Sequence, residues 1–243
     1  CFLLIDAVKF SIIVTKLILG GEVMKLKQTP ILRLYKLETN KEDHAKFVKA
    51  GQHNMLTSQE NEPGTLFMQT SHNEETTNFV VECYQDEASY DTHANSKQFK
   101  DFTDVSKDIL TSRVKVELFP EFISTKAEKL AVTGSNDYVI YLTEIGVSLG
   151  KGDEFAHAVM KEMKTAVEEE KDILAMIAGT VADQPNEWLA IEVYRNNEAY
   201  KQHLETKNFK EYLNNTKYCV ESKSLRKLQP DVIVDQGAIF YQP

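Results

Sequence analysis

Apolar and polar residues alternate along residues 31–38, with the sequence ILRLYKLE, which is the period of a half-buried β-strand. From residue 41 to about residue 60 the apolar positions recur at helical spacing, which predicts an amphipathic helix. Further strand and helix patterns give the order β-α-β-β-α-β, that of a ferredoxin-like unit. The other predicted strands cover residues 65–71, 79–84 and 114–118, where Pro120 is expected to end the unit, and the second helix begins at Asp86.

The pattern occurs twice. The stretch 82–102, with the sequence ECYQDEASYDTHANSKQFKDF, returns at 192–212 as EVYRNNEAYKQHLETKNFKEY, with a constant offset of 110. Two matches in register within one chain predict two copies of one α+β domain in tandem. We predict a lead segment at 1–29, a first domain at 30–125, a linker at 126–136 and a second domain at 137–243.

Each copy has helices for only one face of its sheet. The other face needs a cover, because a large open apolar patch is unfavourable in water. The two sheets are therefore expected to pack against each other, so that the chain forms an intramolecular pseudo-dimer. The apolar segment 232–241 is expected to add a strand to the other copy.

The composition restricts the possible partners. The chain has 243 residues, a formal net charge of −9 and a pI near 5.3, with no long Lys/Arg stripe, which argues against nucleic acid and anionic membranes. Three cysteines without CxxC spacing are typical of free thiols in the cytoplasm. Four histidines outside the repeat show no facial spacing with acidic partners, so no metal site is expected: His44, His53, His72 and His157.

The first 23 residues are more apolar than the rest, but Asp6, Lys9 and Lys16 interrupt them. No uncharged run there reaches the length that a membrane span needs. One interpretation is that translation of the native protein starts at Met24. The alternative is an apolar lead segment that packs on the domain.

The motif Glu62-Pro-Gly-Thr65, a polar hairpin and Glu-x-Tyr-x5-Tyr-x2-His-x5-Phe-Lys resemble the antibiotic biosynthesis monooxygenase family of dimeric α/β barrels. The match is better over 30–122 than over 138–232, where Glu170-Lys-Asp-Ile173 replaces the first motif. The resemblance implies a barrel of two ferredoxin-like units with a pocket between sheet and helices in each. It also implies oxidation of an electron-rich aromatic, such as a quinol or anthrone, by O2 without a cofactor.

Two differences from the family's motifs restrict the set of reactions that are expected. Tyr84 and Tyr194 stand where anthrone-type enzymes typically have tryptophan. The histidine that the haem-degrading branch needs is replaced by Thr103 or Leu213, so haem degradation is not expected.

The repeated polar residues form the candidate site. Residues i and i+2 share a strand face, and i and i+3 share a helix face, so each copy is expected to gather a carboxylate, two phenols and an imidazole. Histidine titrates near neutrality and suits a general base, while tyrosine can donate to a phenolate. The predicted catalytic residues are His93, His203, Tyr90 and Tyr200, and the predicted pocket residues are Tyr84, Tyr194, Glu82 and Glu192.

Other interpretations stay open at this point. A buried histidine or glutamate in both copies also suits a role in holding the fold, through hydrogen bonds to backbone groups. The same scaffold could carry a small-molecule isomerase or a non-catalytic, stress-related ligand-binding barrel, because a fold does not fix a function. The second copy could be active, or it could only complete the barrel. Further homo-oligomerisation is also open.

Overall fold

A computed structural model describes residues 23–243, and the expectations for residues 1–22 lie outside the described residues. The described part forms eleven strands and six helices. The strands are β1 Met24–Lys25, β2 Ile31–Thr39, β3 Thr65–Glu74, β4 Thr77–Tyr84, β5 Leu110–Thr125, β6 Leu130–Thr133, β7 Val139–Val147, β8 Ile173–Val181, β9 Gln184–Tyr194, β10 Val220–Asp235 and β11 Ile239–Tyr241. The helices are α1 His44–Asn61, α2 Glu87–Asn95, α3 Lys97–Ile109, α4 Gly152–Glu169, α5 Asn197–Glu205 and α6 Lys207–Thr216.

Eight of the strands close into one antiparallel barrel. Their order is β2-β4-β3-β10-β7-β9-β8-β5, and β5 pairs again with β2. The helices lie outside this barrel. The predicted α+β class, with two ferredoxin-like units in tandem, is confirmed.

Apolar side chains from both copies fill the inside of the barrel. Leu34 and Val81 of the first copy belong to the same buried cluster as Ile140 and Ile191 of the second. On each strand the alternate residues face the helices instead, because successive side chains point to opposite sides. Each sheet therefore covers the open face of the other, as the sequence predicts.

The strands β5 and β10 connect the two halves. Each is 16 residues long, and the prediction that Pro120 ends its strand is wrong. The first part of β5 pairs with β2, and its last part pairs with β8 of the other copy, with a register shift between Pro120 and Phe122. Proline lacks an N–H and fits such a bulge. In β10 the register shift follows Pro230, and the last part of β10 pairs with β3 of the first copy.

The crossing strands place residues of one copy beneath the helices of the other. Val232 and Val234 of β10 pack in the core under α1, and Phe122 of β5 packs in the core under α4. The segment between the copies also contributes β6, which pairs with β10. The two halves are therefore interlocked. Among residues 23–243, no helix has the length and apolar character needed to cross a membrane.

Local side-chain caps fix the helices that carry the repeated residues. Asp86 accepts a hydrogen bond from the backbone N–H of Ser89 at 2.8 Å and starts α2. Ser96 separates α2 from α3 and accepts from the N–H of Phe99 at 3.2 Å. Asn40, which precedes the short turn before α1, accepts no capping hydrogen bond with its side chain.

Candidate active site

A buried hydrogen bond to a carboxylate holds His93 at the end of α2. Its Nδ1 lies 2.9 Å from Glu62 Oε2 and 3.2 Å from Ser58 Oγ, and the ring is fully buried. Glu62 also accepts hydrogen bonds from Thr65 Oγ1, at 2.8 Å, and from Gln98. Burial would raise the pKa of Glu62, but the hydrogen bonds from His93 and Thr65 outweigh it and lower the pKa. Glu62 is thus a charged acceptor that fixes the imidazole.

The second copy repeats this pair with an additional carboxylate. His203 Nδ1 lies 3.1 Å from Glu170 Oε1, and its Nε2 lies 3.5 Å from Glu162. Burial lowers the pKa of His203, but the hydrogen bond to Glu170 and the charge of Glu162 outweigh it, so the pKa is raised. Burial raises the pKa of Glu162 to about 8. In the first copy, Asn54 takes the place of Glu162.

The fold brings the predicted aromatic residues of each copy together around the histidine. The Tyr84 ring centroid lies 5.4 Å from that of His93 and 5.5 Å from that of Tyr90. In the second copy, Tyr194 lies 5.7 Å from His203 and 5.4 Å from Tyr200. These are separations at which aromatic pairs attract each other.

The hydroxyls of the two strand tyrosines differ. Tyr194 Oη donates to Glu192 Oε2 at 2.8 Å. Tyr84 Oη is buried beside Glu82 but makes no hydrogen bond of ordinary geometry with the described residues. The tyrosine–glutamate pair therefore recurs in both copies, with a short hydrogen bond only in the second.

The two helix tyrosines, Tyr90 and Tyr200, each pack against a residue at the outer edge of the aromatic group around the histidine. The Arg33 guanidinium lies 4.0 Å above the centre of the Tyr90 ring and forms an ion pair with Glu117 at 3.0 Å. Tyr200 instead stacks on Tyr141, with ring centroids 3.6 Å apart.

The first copy contains a cavity of about 270 Å³ between its sheet and α3. Of the site residues predicted for this copy, only Glu82 lines it. His93 lies behind the wall, packed against the cavity residue Phe99 at 4.8 Å between ring centroids. The lining residues are Tyr35, Leu37, Val80, Glu82, Phe99, Phe102, Thr103, Ser106, Lys107, Leu110 and Arg113.

The cavity walls carry few polar groups, and not all of these groups have a hydrogen-bond partner among the described residues. Glu82 is 8% exposed, and burial raises the pKa of its carboxyl above the ordinary value. Ser106 Oγ is buried and has no hydrogen-bond partner among the described residues. The Arg113 guanidinium lies 5.2 Å from the centre of the Tyr35 ring. An apolar cavity with a few polar groups is the usual form of a small-molecule site.

The corresponding space in the second copy measures only about 20 Å³. Gly51 of α1 leaves room for Phe102, whose ring lies 4.0 Å from the position a Cβ would occupy. Val159 occupies the equivalent helix position and lines the small remaining space. Trp188, which stands where the first copy has Asn78, packs on Phe155 with ring centroids 5.0 Å apart. Val159 thus takes up room at a position where the first copy has only Gly51.

Another opening, of about 300 Å³, lies on the outer side of the second copy between α4 and α6. Its walls are mainly charged and amide side chains, which suit water better than an aromatic ring. They include Glu154, His157, Lys161, Asn208 and Glu211.

Several residues of this site lie outside the set predicted from the sequence. Glu62 stands out there only as the first residue of the motif Glu62-Pro-Gly-Thr65, although Glu170 repeats it before the second strand of the second copy. Tyr35, Ser106 and Arg113 are not repeated as identical residues, since their equivalents are Thr143, Thr216 and Lys223. Only the repeat of Glu62 offered a signal in the sequence.

A closed barrel made of two ferredoxin-like halves, with helices outside and a cavity on the helix side, defines a dimeric α/β-barrel protein whose halves are joined in one chain. The model of the family described as antibiotic biosynthesis monooxygenase matches residues 30–105 and 139–215. The chain belongs to this family, as its resemblance predicts.

Solved structures agree with this assignment. A candidate monooxygenase from Lactobacillus acidophilus is 33% identical, with a TM-score of 0.84, and the match covers 88% of this chain and 100% of that one. A candidate monooxygenase from Fusobacterium nucleatum shares the fold at 24% identity, with a TM-score of 0.80 and coverage of 89% and 99%. No curated protein sequence matches the chain.

An anthrone oxidase-like protein shares the fold alone, at 11% identity and a TM-score of 0.55, over 89% of this chain and 97% of that one. Family and relatives together support a monooxygenase-type function in general terms.

Proposed function

We propose that the chain is a cofactor-independent monooxygenase that oxidises a quinol, an anthrone or a related electron-rich aromatic with O2 in the cavity of the first copy. The observation that carries this proposal is the buried Glu82 carboxyl on the wall of an otherwise largely apolar cavity of about 270 Å³. This volume lies just below the usual range for ligand sites and suits a molecule of two or three fused rings.

Glu82 is the proposed base. A carboxyl whose pKa is raised by burial approaches the pKa of an acidic phenol or enol, which favours proton transfer between them. The substrate gives its hydroxyl proton to Glu82 and becomes an electron-rich anion. The buried Ser106 hydroxyl is free to donate to the anionic oxygen.

The anion then supplies the electrons for O2. A carbon–oxygen bond forms to give a hydroperoxide, and loss of water from the hydroperoxide carbon leaves a carbonyl. One oxygen atom enters the product and the other leaves as water, with the proton returned by Glu82. The apolar walls limit the access of water to the reactive anion.

In this proposal His93, which the sequence predicts as the base, has a positioning role instead. Its ring lies behind Phe99 and Tyr84 and is held by Glu62, so we assign it and Tyr84 to positioning the cavity wall. A catalytic role for His93, Tyr90 and their second-copy equivalents stays a prediction. We assign the second copy to completing the barrel, because its equivalent space is about 20 Å³.

O2 uptake by the purified protein, with reduced naphthoquinones and anthrones as substrates, tests the proposal. We expect substrate-dependent O2 consumption and, with ¹⁸O2, one labelled oxygen atom in the product. Binding without O2 consumption would contradict the proposal and favour a ligand-binding barrel. Rearrangement of a substrate without O2 consumption would favour an isomerase.

A further inference from the structure

Two histidines and a carboxylate from three elements meet at the junction of the two copies, outside the cavity. His44 is the first residue of α1, His72 lies near the end of β3, and Asp231 comes from the crossing strand β10. Asp231 Oδ2 lies 2.9 Å from His72 Nδ1, and Asp231 Oδ1 lies 3.9 Å from His44 Nε2. One ligating atom from each residue lies within 4.8 Å of the others.

The backbone directs the carboxylate into this group. The register of β10 against β3 shifts between Pro230 and Val232, so Asp231 is the extra residue of a bulge. Bulges re-aim a side chain away from the regular ladder. Gln52 of α1 donates to the backbone carbonyl of Asp231 at 3.2 Å and ties the bulge to the helix. The position of Asp231 is therefore fixed by the fold.

Hydrogen bonding accounts for only one of the two histidines. His72 can donate to Asp231, but the 3.9 Å between His44 Nε2 and Asp231 is too long for a hydrogen bond. His44 Nδ1 is also buried without a partner among the described residues. The His44 ring nevertheless lies with its centroid 4.7 Å from that of His72. His44 thus converges on the carboxylate without making a hydrogen bond to it.

These separations suit a shared metal ion. Tetrahedral Zn²⁺ holds nitrogen and oxygen ligands at about 2.0–2.2 Å, which places neighbouring ligand atoms about 3.3 Å apart. The 2.9 Å from Asp231 Oδ2 to His72 and the 3.9 Å from Asp231 Oδ1 to His44 lie on either side of this value, and one atom from each of the three residues lies within 4.8 Å of the others. The side chains of His44, His72 and Asp231 are 16%, 21% and 9% exposed, so an ion and a coordinating water can reach them.

The fold does not require these residues. The pseudo-twofold operation places Gly152, Thr180 and Glu121 at the equivalent junction. Glu121 is likewise the extra residue of a bulge in β5, yet no imidazole accompanies it. The two histidines therefore belong to one junction only, and a structural need of the barrel does not explain them.

We propose that His44, His72 and Asp231 form a binding site for a divalent transition-metal ion of the zinc type. Two imidazoles and a carboxylate suit Zn²⁺, Co²⁺ and Ni²⁺ better than Ca²⁺ or Mg²⁺, which prefer all-oxygen sites. Such an ion would link α1 and β3 of the first copy to the crossing strand of the second. It would stabilise the interlocked barrel, because it binds the folded state and not the separated segments.

Metal binding by the chelator-treated full chain tests this site, with Zn²⁺ measured by calorimetry and Co²⁺ by its visible absorption. We expect saturable binding of one ion per chain, a Co²⁺ spectrum with nitrogen and oxygen ligands, and a rise in Tm with added Zn²⁺. His44→Ala should lower the Zn²⁺ affinity at least about tenfold. This variant removes no hydrogen bond to the carboxylate, so the metal-free protein should fold normally.

His53→Ala and His157→Ala are matched controls, because both side chains are exposed and lie outside this group. Both controls should bind Zn²⁺ as the parent chain does. The site is overturned by an absence of saturable binding, by unchanged affinity in His44→Ala, or by an equal loss in the two controls. Asp231→Asn offers a second variant, which should also lower the affinity.

Discussion

Replacing Glu82 by glutamine is expected to lower kcat for aromatic substrates by about 100-fold or more, which is the contribution typical of a general base. The substitution keeps the size of the side chain and removes its ability to take a proton. Glu82 is the one carboxylate among the residues that line the first-copy cavity. The rate of substrate-dependent O2 uptake measures the effect.

The pH dependence of kcat/KM provides a second test of Glu82 as the base. Since the base acts in its ionised form, activity should rise with pH through the Glu82 pKa, which burial raises above the ordinary carboxyl value. This acid limb should disappear in Glu82→Gln. Glu192→Gln is the matched control and should stay within about twofold of the parent chain, because its cavity is too small for a substrate. Equal losses in the two variants would contradict an active site in the first copy alone.

Replacing Glu62 by alanine is expected to lower the free energy of unfolding by about 3–5 kcal/mol, because it removes a buried carboxylate that accepts several hydrogen bonds, and a buried donor left without its acceptor costs about 1–3 kcal/mol. Glu62 is 5% exposed and accepts hydrogen bonds from His93, Thr65 and Gln98. All three donors lose this carboxylate in the variant, and of the described hydrogen-bond partners only Ser58 Oγ remains near His93 and Gln98. Denaturant unfolding at neutral pH, followed by circular dichroism, measures the loss.

Glu170→Ala is the control for this prediction. The Glu170 side chain is 20% exposed, and its hydrogen bonds go to His203, which also has Glu162 beside it. Water can reach the site and a second carboxylate remains, so we expect a smaller loss of about 1–2 kcal/mol. A loss below about 1 kcal/mol in Glu62→Ala would show that the His93 pair does not hold the cavity wall.

The fold can be predicted from the sequence because the apolar pattern and the repeat give complementary information. The strand and helix periods define each unit, and the uncovered sheet faces require the two units to pack on each other. The strand break predicted at Pro120 failed for a local reason. A proline that lacks an N–H ends a regular ladder, but it is accommodated where a bulge already interrupts the pairing, as at Pro120 and Pro230.

The candidate site can be predicted from the sequence only in part. The repeat identifies Glu82, His93 and Tyr84, because their side chains recur at one offset. It says nothing about whether a space lies beside them. That space depends on the volumes of non-repeated residues, such as Gly51 against Val159. The convergence of His44, His72 and Asp231 also needs the crossing strand, which spacing along the chain does not reveal.

The number and position of aromatic molecules bound per chain test the central claim most directly. A hydroxynaphthoquinone, which is an oxidised and stable product analogue, can be titrated into the full chain and located by crystallography. One equivalent per chain is expected, placed in the first-copy cavity against Glu82 and Ser106. Two equivalents per chain, or a molecule bound beside Glu192 with the first cavity empty, would contradict the assignment of the site.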